Sequence, residues 1–268
     1  MNIVCIGAHP DDGEYHAGGT LLKWHRAGAR VLVVSLTNGA LGHYAMSGEP
    51  LAERRAAESR RAAAVSGYEP LVLETPDGEL LPTLELRKEV VRILRMARAD
   101  VVLTHRPWDY HPDHRYTAAV VQDAAFMVTV PHYCPETPRL EKNPVFLYMM
   151  DFFQKPLPFR PDVAVTVDDV MEEKWALLDA MESQTYEWLP WLEGCAEEVP
   201  EDREERKRWL KSRWSGLFEK YTHEFQSYLQ AQYGSQSDAI RFAEFFEVCE
   251  YGHQPSPAAL RALFPLED

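Results

Sequence analysis

The 268-residue sequence lacks any apolar run near the roughly 20 residues that a membrane-spanning helix needs, so we expect no such helix. Cysteine is scarce, and none of its four residues forms a CxxC pair, which favours reduced, mostly buried thiols in a cytoplasmic protein. The first residues, MNIVCIGA, lack the basic region of a signal peptide and instead predict a strand.

Positive charge is also in short supply, since 28 lysines and arginines face 42 aspartates and glutamates, which gives a formal net charge of −14. Such a surface repels phosphates, which argues against nucleic acid as the main partner and, more weakly, against an anionic membrane. Hydrophobic residues at 46% and charged residues at 26% are typical of a soluble globular protein. Small neutral or cationic substrates remain open.

Short apolar runs alternate with helical patterns through the first two thirds of the chain. NIVCIGA at 2–8 and RVLVVSLT at 30–37 predict strands that are buried on both faces. This alternation predicts an α/β fold with a Rossmann-like, mostly parallel sheet flanked by helices. The other predicted strands are 70–74, 100–105, 145–150 and 163–167, and the predicted helices are 18–28, 51–65, 84–98, 117–128 and 168–183.

The segment 186–225 differs in character, because a charged helix carries one apolar stripe there. Packing onto the body of the domain, an oligomer contact and a wall of the active site are the three interpretations of this stripe. No linker divides the chain, so we expect a single domain over 1–268, with a core at 1–185 and a C-terminal helical and aromatic elaboration at 186–268. The stripe consists of Trp209, Leu210, Trp214, Leu217, Phe218, Tyr221 and Phe225.

Two clusters of imidazole and carboxylate side chains interrupt the strand–helix pattern. AHPDD, at 8–12, follows the first predicted strand, and HPDH, at 111–114, follows the strand predicted at 100–105. Open α/β sheets bind ligands at the carboxyl ends of their strands, where both clusters fall. Either motif alone is weak, because Asp and Pro are common in turns, but the pair predicts a catalytic metal site. A structural turn and a non-catalytic ion site are the alternatives.

The donors of the two clusters suit a catalytic zinc site, which uses three imidazole or carboxylate ligands and leaves one position open for water. His9 and Asp12 are three residues apart and could both face an ion, which His114 would reach from a neighbouring strand. Asp11 would then lie beside the ion, where a general base takes a proton from water. Other divalent ions also suit such a donor set.

His111 is a second titratable group and lies three residues from His114, on the same side of a helical turn. As an imidazolium it could stabilise an oxyanion or protonate a leaving amine. Asp113 could orient the His111 ring and raise its pKa, as a neighbouring carboxylate commonly does.

Further short motifs accompany the two clusters: GGT opens the first helix, LTNG lies at 36–39, TPDG at 75–78, ESQ at 182–184 and AEFF at 243–246. An RxxE helix with a trailing glycine supplies Arg55, Glu58 and Gly67. In these motifs the chain resembles the LmbE-like (PIG-L) family of zinc-dependent N-deacetylases, over most of residues 1–185 and a short C-terminal piece.

The resemblance implies one bound Zn²⁺ and removal of the acetyl group from an N-acetylglucosamine-type conjugate, which releases acetate and a free amine. The matching positions are His9, Asp12 and His114 for the zinc ion, Asp11 for the base, His111 oriented by Asp113 for the tetrahedral intermediate, and Arg55 for substrate hydroxyls.

Several residues on predicted loops are further candidates for substrate contacts. Tyr110 stands where some relatives carry Arg, and its phenol could donate to the oxyanion. The remaining histidines, among them His16 and His105, have no ligand spacing and are interpreted as structural or exposed. The other candidate substrate contacts are Tyr44, His43, Trp108 and Gln154.

We therefore expect a cytoplasmic enzyme that acts on a small amino-sugar conjugate and forms a homo-oligomer. An amidase that cleaves a larger acyl group from a thiol conjugate is one alternative. A non-catalytic metal-binding or carbohydrate-binding relative is another, although such a protein would not need Asp11, His111 and Asp113. A nucleotide-binding Rossmann protein is disfavoured, because AHPDD replaces GxGxxG and its carboxylates would repel a pyrophosphate.

Overall fold

A seven-stranded sheet forms the centre of the computed structural model, which describes residues 1–266. Its strands are β1 (Asn2–Gly7), β2 (Arg30–Ser35), β3 (Glu69–Val72), β4 (Val101–Thr104), β5 (Val145–Met149), β6 (Val163–Thr166) and β7 (Ala243–Gly252). The strand order is β3-β2-β1-β4-β5-β7-β6. The first five strands pair in parallel, whereas β7 runs antiparallel to both β5 and β6.

Helices cover both faces of the sheet. In the described part of the chain they are α1 (Asp12–Arg26), α2 (Glu49–Ser66), α3 (Leu84–Ala97), α4 (Pro112–Met127), α5 (Met171–Ala180), α6 (Leu189–Leu192), α7 (Arg203–Glu224), α8 (Gln226–Tyr233) and α9 (Pro257–Leu263). One core joins the sheet to α1, α2, α5 and α7, and a second joins it to α3 and α4. Within residues 1–266, none of these helices has the length and apolarity to cross a membrane.

The central strand β1 shows why the strand sequences are apolar without interruption. Ile3 and Cys5 pack into the core on one face of the sheet, and Val4 and Ile6 pack into the core on the other. A parallel strand covered by helices on both faces has no solvent-facing side. The predicted Rossmann-like α/β fold is confirmed.

The path of the chain creates a crevice between β1 and β4. From β1 the chain moves outward through β2 to β3, and it then returns to place β4 on the other side of β1. The segments that leave the carboxyl ends of β1 and β4 therefore diverge, and ligands of open α/β sheets bind at this point. Both His/Asp clusters leave the sheet at this crevice.

Each cluster begins a helix, which the sequence analysis had assigned to loops. α1 begins at Asp12 rather than at residue 18, and α4 begins at Pro112 rather than at residue 117. Proline is favoured in the first turn of a helix, and His111 caps α4 by accepting the backbone N–H of Asp113 at Nδ1. The apolar periodicity starts later than the helices because their first turns face the site.

The strand β7 was missed by the sequence analysis, which noted AEFF at 243–246 only as a motif. It lies between β5 and β6 although both precede it in the chain by many residues. A strand from the C-terminal segment thus completes the sheet. This pairing supports the single domain, which stays a prediction, and residues 267–268 of that domain lie outside the described residues.

Candidate active site

Side chains from the two clusters meet in the crevice. His9 Nδ1 lies 3.2 Å from His114 Nε2, although 105 residues separate them. Asp12 completes the group, with Oδ2 3.6 Å from His9 Nδ1 and Oδ1 3.5 Å from His114 Nε2. All three residues are buried. The three side chains are therefore close enough to share one metal ion, with a different oxygen of Asp12 facing each histidine.

The other ring nitrogen of each histidine faces carboxylates. His9 Nε2 lies 3.2 Å from Asp77 Oδ1 and 3.4 Å from Asp113 Oδ2. His114 Nδ1 lies 3.0 Å from Asp109 Oδ2. A carboxylate that holds the proton on one nitrogen leaves the opposite nitrogen free as a ligand, as is usual for histidines that bind metals. Asp77 and Asp109 were not predicted as site residues.

The carboxylates make this region strongly negative. Burial by itself lowers the pKa of His9, but its hydrogen bonds to Asp113 and Asp77 and the charge of Asp12 raise that pKa to about 10. Burial raises the pKa of Asp77, but its hydrogen bond to His9 and the charge of His9 outweigh this and lower the pKa to about 2. The donor set thus attracts a cation, and a metal ion that binds there displaces the proton of His9.

The carboxylate of Asp12 also contacts other protein groups. Its Oδ2 accepts the backbone N–H of His9 at 2.7 Å and lies 3.0 Å from His105 Nε2. The His105 ring also stacks on His114 at a centroid distance of 4.1 Å. The interpretation of His105 as a purely structural residue is therefore incomplete, because it contacts Asp12 and His114 directly. Its position just after β4 was the available signal.

Asp11 occupies a strained position beside this group. Its φ of 152° is rare for a residue with a side chain, and such strain persists where the surroundings enforce it, often at functional sites. Its Oδ2 lies 3.2 Å from Arg55 Nη2. Burial raises the pKa of Asp11 to about 6, although the positive charge of the Arg55 guanidinium acts in the opposite direction and lowers it. A carboxylate in this range can accept a proton near neutral pH.

Arg55 is buried, and both terminal nitrogens of its guanidinium contact protein groups, whereas Nε has no hydrogen-bond partner among the described residues. Nη2 donates to the carbonyl of Pro10 at 2.9 Å, and Nη1 donates to the carbonyl of Gly39 at 3.3 Å. Arg55 therefore fixes the turn that carries Asp11. Its predicted contact with substrate hydroxyls stays a prediction.

His111 and Asp113 interact differently from the expectation. The carboxylate of Asp113 accepts the backbone N–H of Gly78 at 2.7 Å and faces His9, so the backbone N–H of Asp113, not its carboxylate, orients the His111 ring. Burial and the charges of His9 and His114 lower the pKa of His111 overall, although the charge of Asp113 raises it as predicted. Because Nδ1 accepts a hydrogen bond, a neutral His111 carries its proton on Nε2.

A cavity of about 700 Å³ contains these groups. Asp11, His111 and the exposed Tyr110 contribute to its lining. Tyr44 and Gln154 are not among the described residues that line it. The Gln154 side chain donates to the carbonyl of Phe152. The predicted roles of Tyr44, Tyr110 and Gln154 in substrate binding stay predictions.

The apolar stripe of the C-terminal segment lies on α7. Trp214, Leu217, Phe218 and Tyr221 line the cavity, and Leu210 packs into the core. The interpretations as ordinary packing and as an active-site wall both apply, to different residues of the stripe.

The chain is similar in sequence and fold to several known proteins. Residues 4–125 match the family model PIG-L, described as GlcNAc-PI de-N-acetylase. A diacetylchitobiose deacetylase from Thermococcus kodakarensis is 32% identical over 205 residues, which cover 72% of this chain and 76% of the relative. A 4-oxalmesaconate hydratase from Pseudomonas putida is 22% identical over 193 residues, which cover 69% of this chain and 74% of the relative.

Among solved structures, the N,N'-diacetylchitobiose deacetylase from Pyrococcus horikoshii shares the fold with a TM-score of 0.71 and 23% sequence identity. The match covers 92% of this chain and 83% of that chain. The family model and the relative with 32% identity together show that the chain belongs to the PIG-L (LmbE-like) family.

Proposed function

We propose that this protein is a zinc-dependent N-deacetylase that hydrolyses the acetamido group of an N-acetylglucosamine-type sugar. The observation that carries the proposal is the approach of His9, Asp12 and His114 to one another, with Asp11 beside them. Membership of the PIG-L family and the deacetylases among its relatives support the same activity.

The donor set suits zinc. A tetrahedral ion with ligand bonds of about 2.0–2.1 Å keeps its ligand atoms about 3.3 Å apart. His9 Nδ1 and His114 Nε2 are 3.2 Å apart, and the nearest carboxylate oxygens of Asp12 lie 3.6 Å and 3.5 Å from them, Oδ2 from His9 and Oδ1 from His114. Two imidazoles favour zinc over magnesium or calcium, which prefer oxygen ligands. Bound there, the ion would lower the pKa of a water molecule and polarise the amide carbonyl.

Asp11 is the proposed general base. Its side chain lines the cavity, and its raised pKa of about 6 is suited to accept a proton from the attacking water. The ion pair with Arg55 keeps the carboxylate in one position.

His111 is the proposed donor to the substrate. The backbone N–H of Asp113 fixes the ring through Nδ1, which leaves Nε2–H to donate toward the cavity. There it can stabilise the negative charge that develops on the amide oxygen, while Asp11 can pass the proton that it takes from the attacking water to the departing nitrogen.

Hydration of a carboxylate substrate is the second candidate, because a relative is named a 4-oxalmesaconate hydratase. The cavity disfavours it on electrostatic grounds. The lysine and arginine that line the cavity, Lys174 and Arg55, already pair with Glu244 and Asp11. Apart from the proposed zinc ion, an anionic substrate would meet the carboxylates of the described lining without an unpaired lysine or arginine, whereas a neutral acetamido sugar would not be repelled.

The experiment that tests the proposal combines metal analysis with two activity assays. Purified protein with one equivalent of zinc is expected to release acetate and free amine in equal amounts from diacetylchitobiose or N-acetylglucosamine. The same preparation is expected to leave 4-oxalmesaconate unchanged. Hydration of 4-oxalmesaconate without acetate release would contradict the proposal, and so would zinc-loaded protein that releases no acetate.

Two other expectations stay predictions. The four cysteines are unpaired, which supports a cytoplasmic location. The homo-oligomer is the second, and size-exclusion chromatography with light scattering tests it.

A further inference from the structure

The cavity continues from the His/Asp group along a wall of apolar side chains. This apolar wall is supplied by α5 and the residue that follows it, by the π-helical segment Ser183–Trp188 and by α7. We define it by six residues: Leu178, Met181, Trp188, Trp214, Leu217 and Phe218.

The size of the cavity exceeds what an acetyl group requires. A volume of about 700 Å³ lies within the range of roughly 300–1,000 Å³ found for pockets that bury a drug-sized ligand. The acyl part of an acetamide is one methyl group, which would contact a small part of the apolar wall. An acetyl group therefore leaves most of the apolar wall without a contact.

Three polar side chains beside the apolar wall already have partners in the protein, whereas the Nε1 of Trp214 has no hydrogen-bond partner among the described residues. Lys174 Nζ lies 2.7 Å from Glu244 Oε1 and 4.5 Å from the centre of the Phe218 ring. Gln184 donates to a backbone carbonyl, and so does the hydroxyl of Thr185. Sugar hydroxyls placed here would exchange several hydrogen bonds to water for the single free donor of Trp214, at a cost in free energy. This part of the cavity suits an apolar group.

Contacts with neighbouring helices also hold the apolar wall in place. Trp214 packs against Tyr15 of α1 with ring centroids 5.5 Å apart, and Phe218 packs against Trp175 of α5 at 5.6 Å. The π-helical segment is anchored by Glu187, whose two carboxylate oxygens bind Arg54 at 2.6 and 2.7 Å. These contacts keep the cavity open without a ligand, so binding needs little rearrangement.

We propose that the substrate carries an alkyl or aryl group, larger than the methyl of an acetyl group, that binds against the apolar wall while the scissile amide lies at Asp11 and His111. This inference rests on the proposed hydrolysis of an amide. The apolar group is attached either to the acyl carbon or to the glycosidic oxygen of the sugar, and both attachments share one recognition chemistry.

Two substrate series test the proposal. The first is N-acylglucosamines with acyl chains of increasing length, and the second is n-alkyl glycosides of N-acetylglucosamine. In one series kcat/KM is expected to rise roughly threefold per added methylene until the wall is covered. A flat response in both series overturns the inference, while acetate release from N-acetylglucosamine itself would still support the proposed function.

Matched variants connect the effect to the apolar wall. Leu217→Gln is expected to lower the ratio of kcat/KM for the longest over the shortest substrate at least fivefold. Leu86→Gln is the control, because Leu86 is also half-buried but packs on the opposite face of the sheet. Equal ratios in the Leu217→Gln variant and the wild type would overturn the inference.

A binding measurement separates recognition from turnover. Ligand binding to the Asp11→Asn variant is measured by the fluorescence of Trp188 and Trp214. We expect n-octyl N-acetylglucosaminide to bind more tightly than the methyl glycoside, or N-octanoylglucosamine to bind more tightly than N-acetylglucosamine. Equal dissociation constants within both pairs would overturn the inference even if no substrate were hydrolysed.

Discussion

The orientation of His114 depends on the carboxylate of Asp109, and Asp109→Asn tests this arrangement. Asp109 Oδ1 accepts the backbone N–H of His111 at 2.8 Å, and its Oδ2 lies 3.0 Å from His114 Nδ1. An asparagine that keeps the first hydrogen bond turns its N–H₂ group toward His114. The ring must then carry its proton on Nε2, the nitrogen that lies 3.2 Å from His9 Nδ1, which blocks a proposed ligand position.

The expected loss in zinc affinity is about thirtyfold, or about 2 kcal/mol, within the range of 10–100-fold typical for such supporting partners. Water cannot readily replace the lost acceptor, because the side chains of Asp109 and His114 are only 9% and 11% exposed. The dissociation constant for zinc is measured by competition with a chelator of known affinity at neutral pH. Circular dichroism verifies that the variant is folded.

Asp123→Asn provides the control. Asp123 lies on the same helix as His114, pairs with Arg87 and is 45% exposed. Its replacement is expected to change zinc affinity less than twofold. An Asp109→Asn variant with the affinity of the wild type would refute the assignment of His114 as a ligand held by Asp109.

Three further substitutions distinguish the proposed roles. Asp11→Asn should lower kcat at least 100-fold and retain stoichiometric zinc, because it removes a base but no ligand; wild-type turnover would refute the assigned base. His114→Ala should lose zinc in metal analysis, and retained zinc would count against the ligand set. Arg55→Lys should lower kcat roughly tenfold without zinc loss, since one ammonium cannot reproduce the contacts of Nη2 with Asp11 and the Pro10 carbonyl together with that of Nη1 with the Gly39 carbonyl; an unchanged kcat would contradict this positioning role.

The sequence predicted those features that depend on neighbours along the chain. The apolar run at 2–8 predicted a strand covered on both faces, because each of its residues meets a helix layer. The approach of His9 to His114 was predicted for a geometric reason, since the carboxyl ends of adjacent parallel strands lie at the same edge of a sheet.

The supporting carboxylates could not be predicted in the same way. Asp77 lies in the TPDG motif and Asp109 lies two residues before HPDH, but neither has a spacing that predicts a contact with His9 or His114. Their role follows from distances of 3.0–3.2 Å that only the folded chain creates. His105 was missed for the same reason.

The apolar stripe of α7 illustrates a different limit. Its periodicity predicted a helix with one buried face, and the helix is present at Arg203–Glu224. Periodicity reports that a face is shielded from bulk water but does not identify what lies opposite. Leu210 faces packed protein and Leu217 faces a cavity, although both belong to one stripe.

The late position of β7 in the chain fixes an order of assembly during synthesis. A nascent chain that ends before Ala243 already contains β1 to β5 and both His/Asp clusters, whereas β6 still waits for its neighbour in the sheet. Glu244 and Phe245, which line the cavity, are also still missing at that stage. The ribosome thus synthesises the proposed metal ligands well before the last residues that line the cavity. Pairing of the final strand with β5 and β6 then joins the proposed metal site and the cavity.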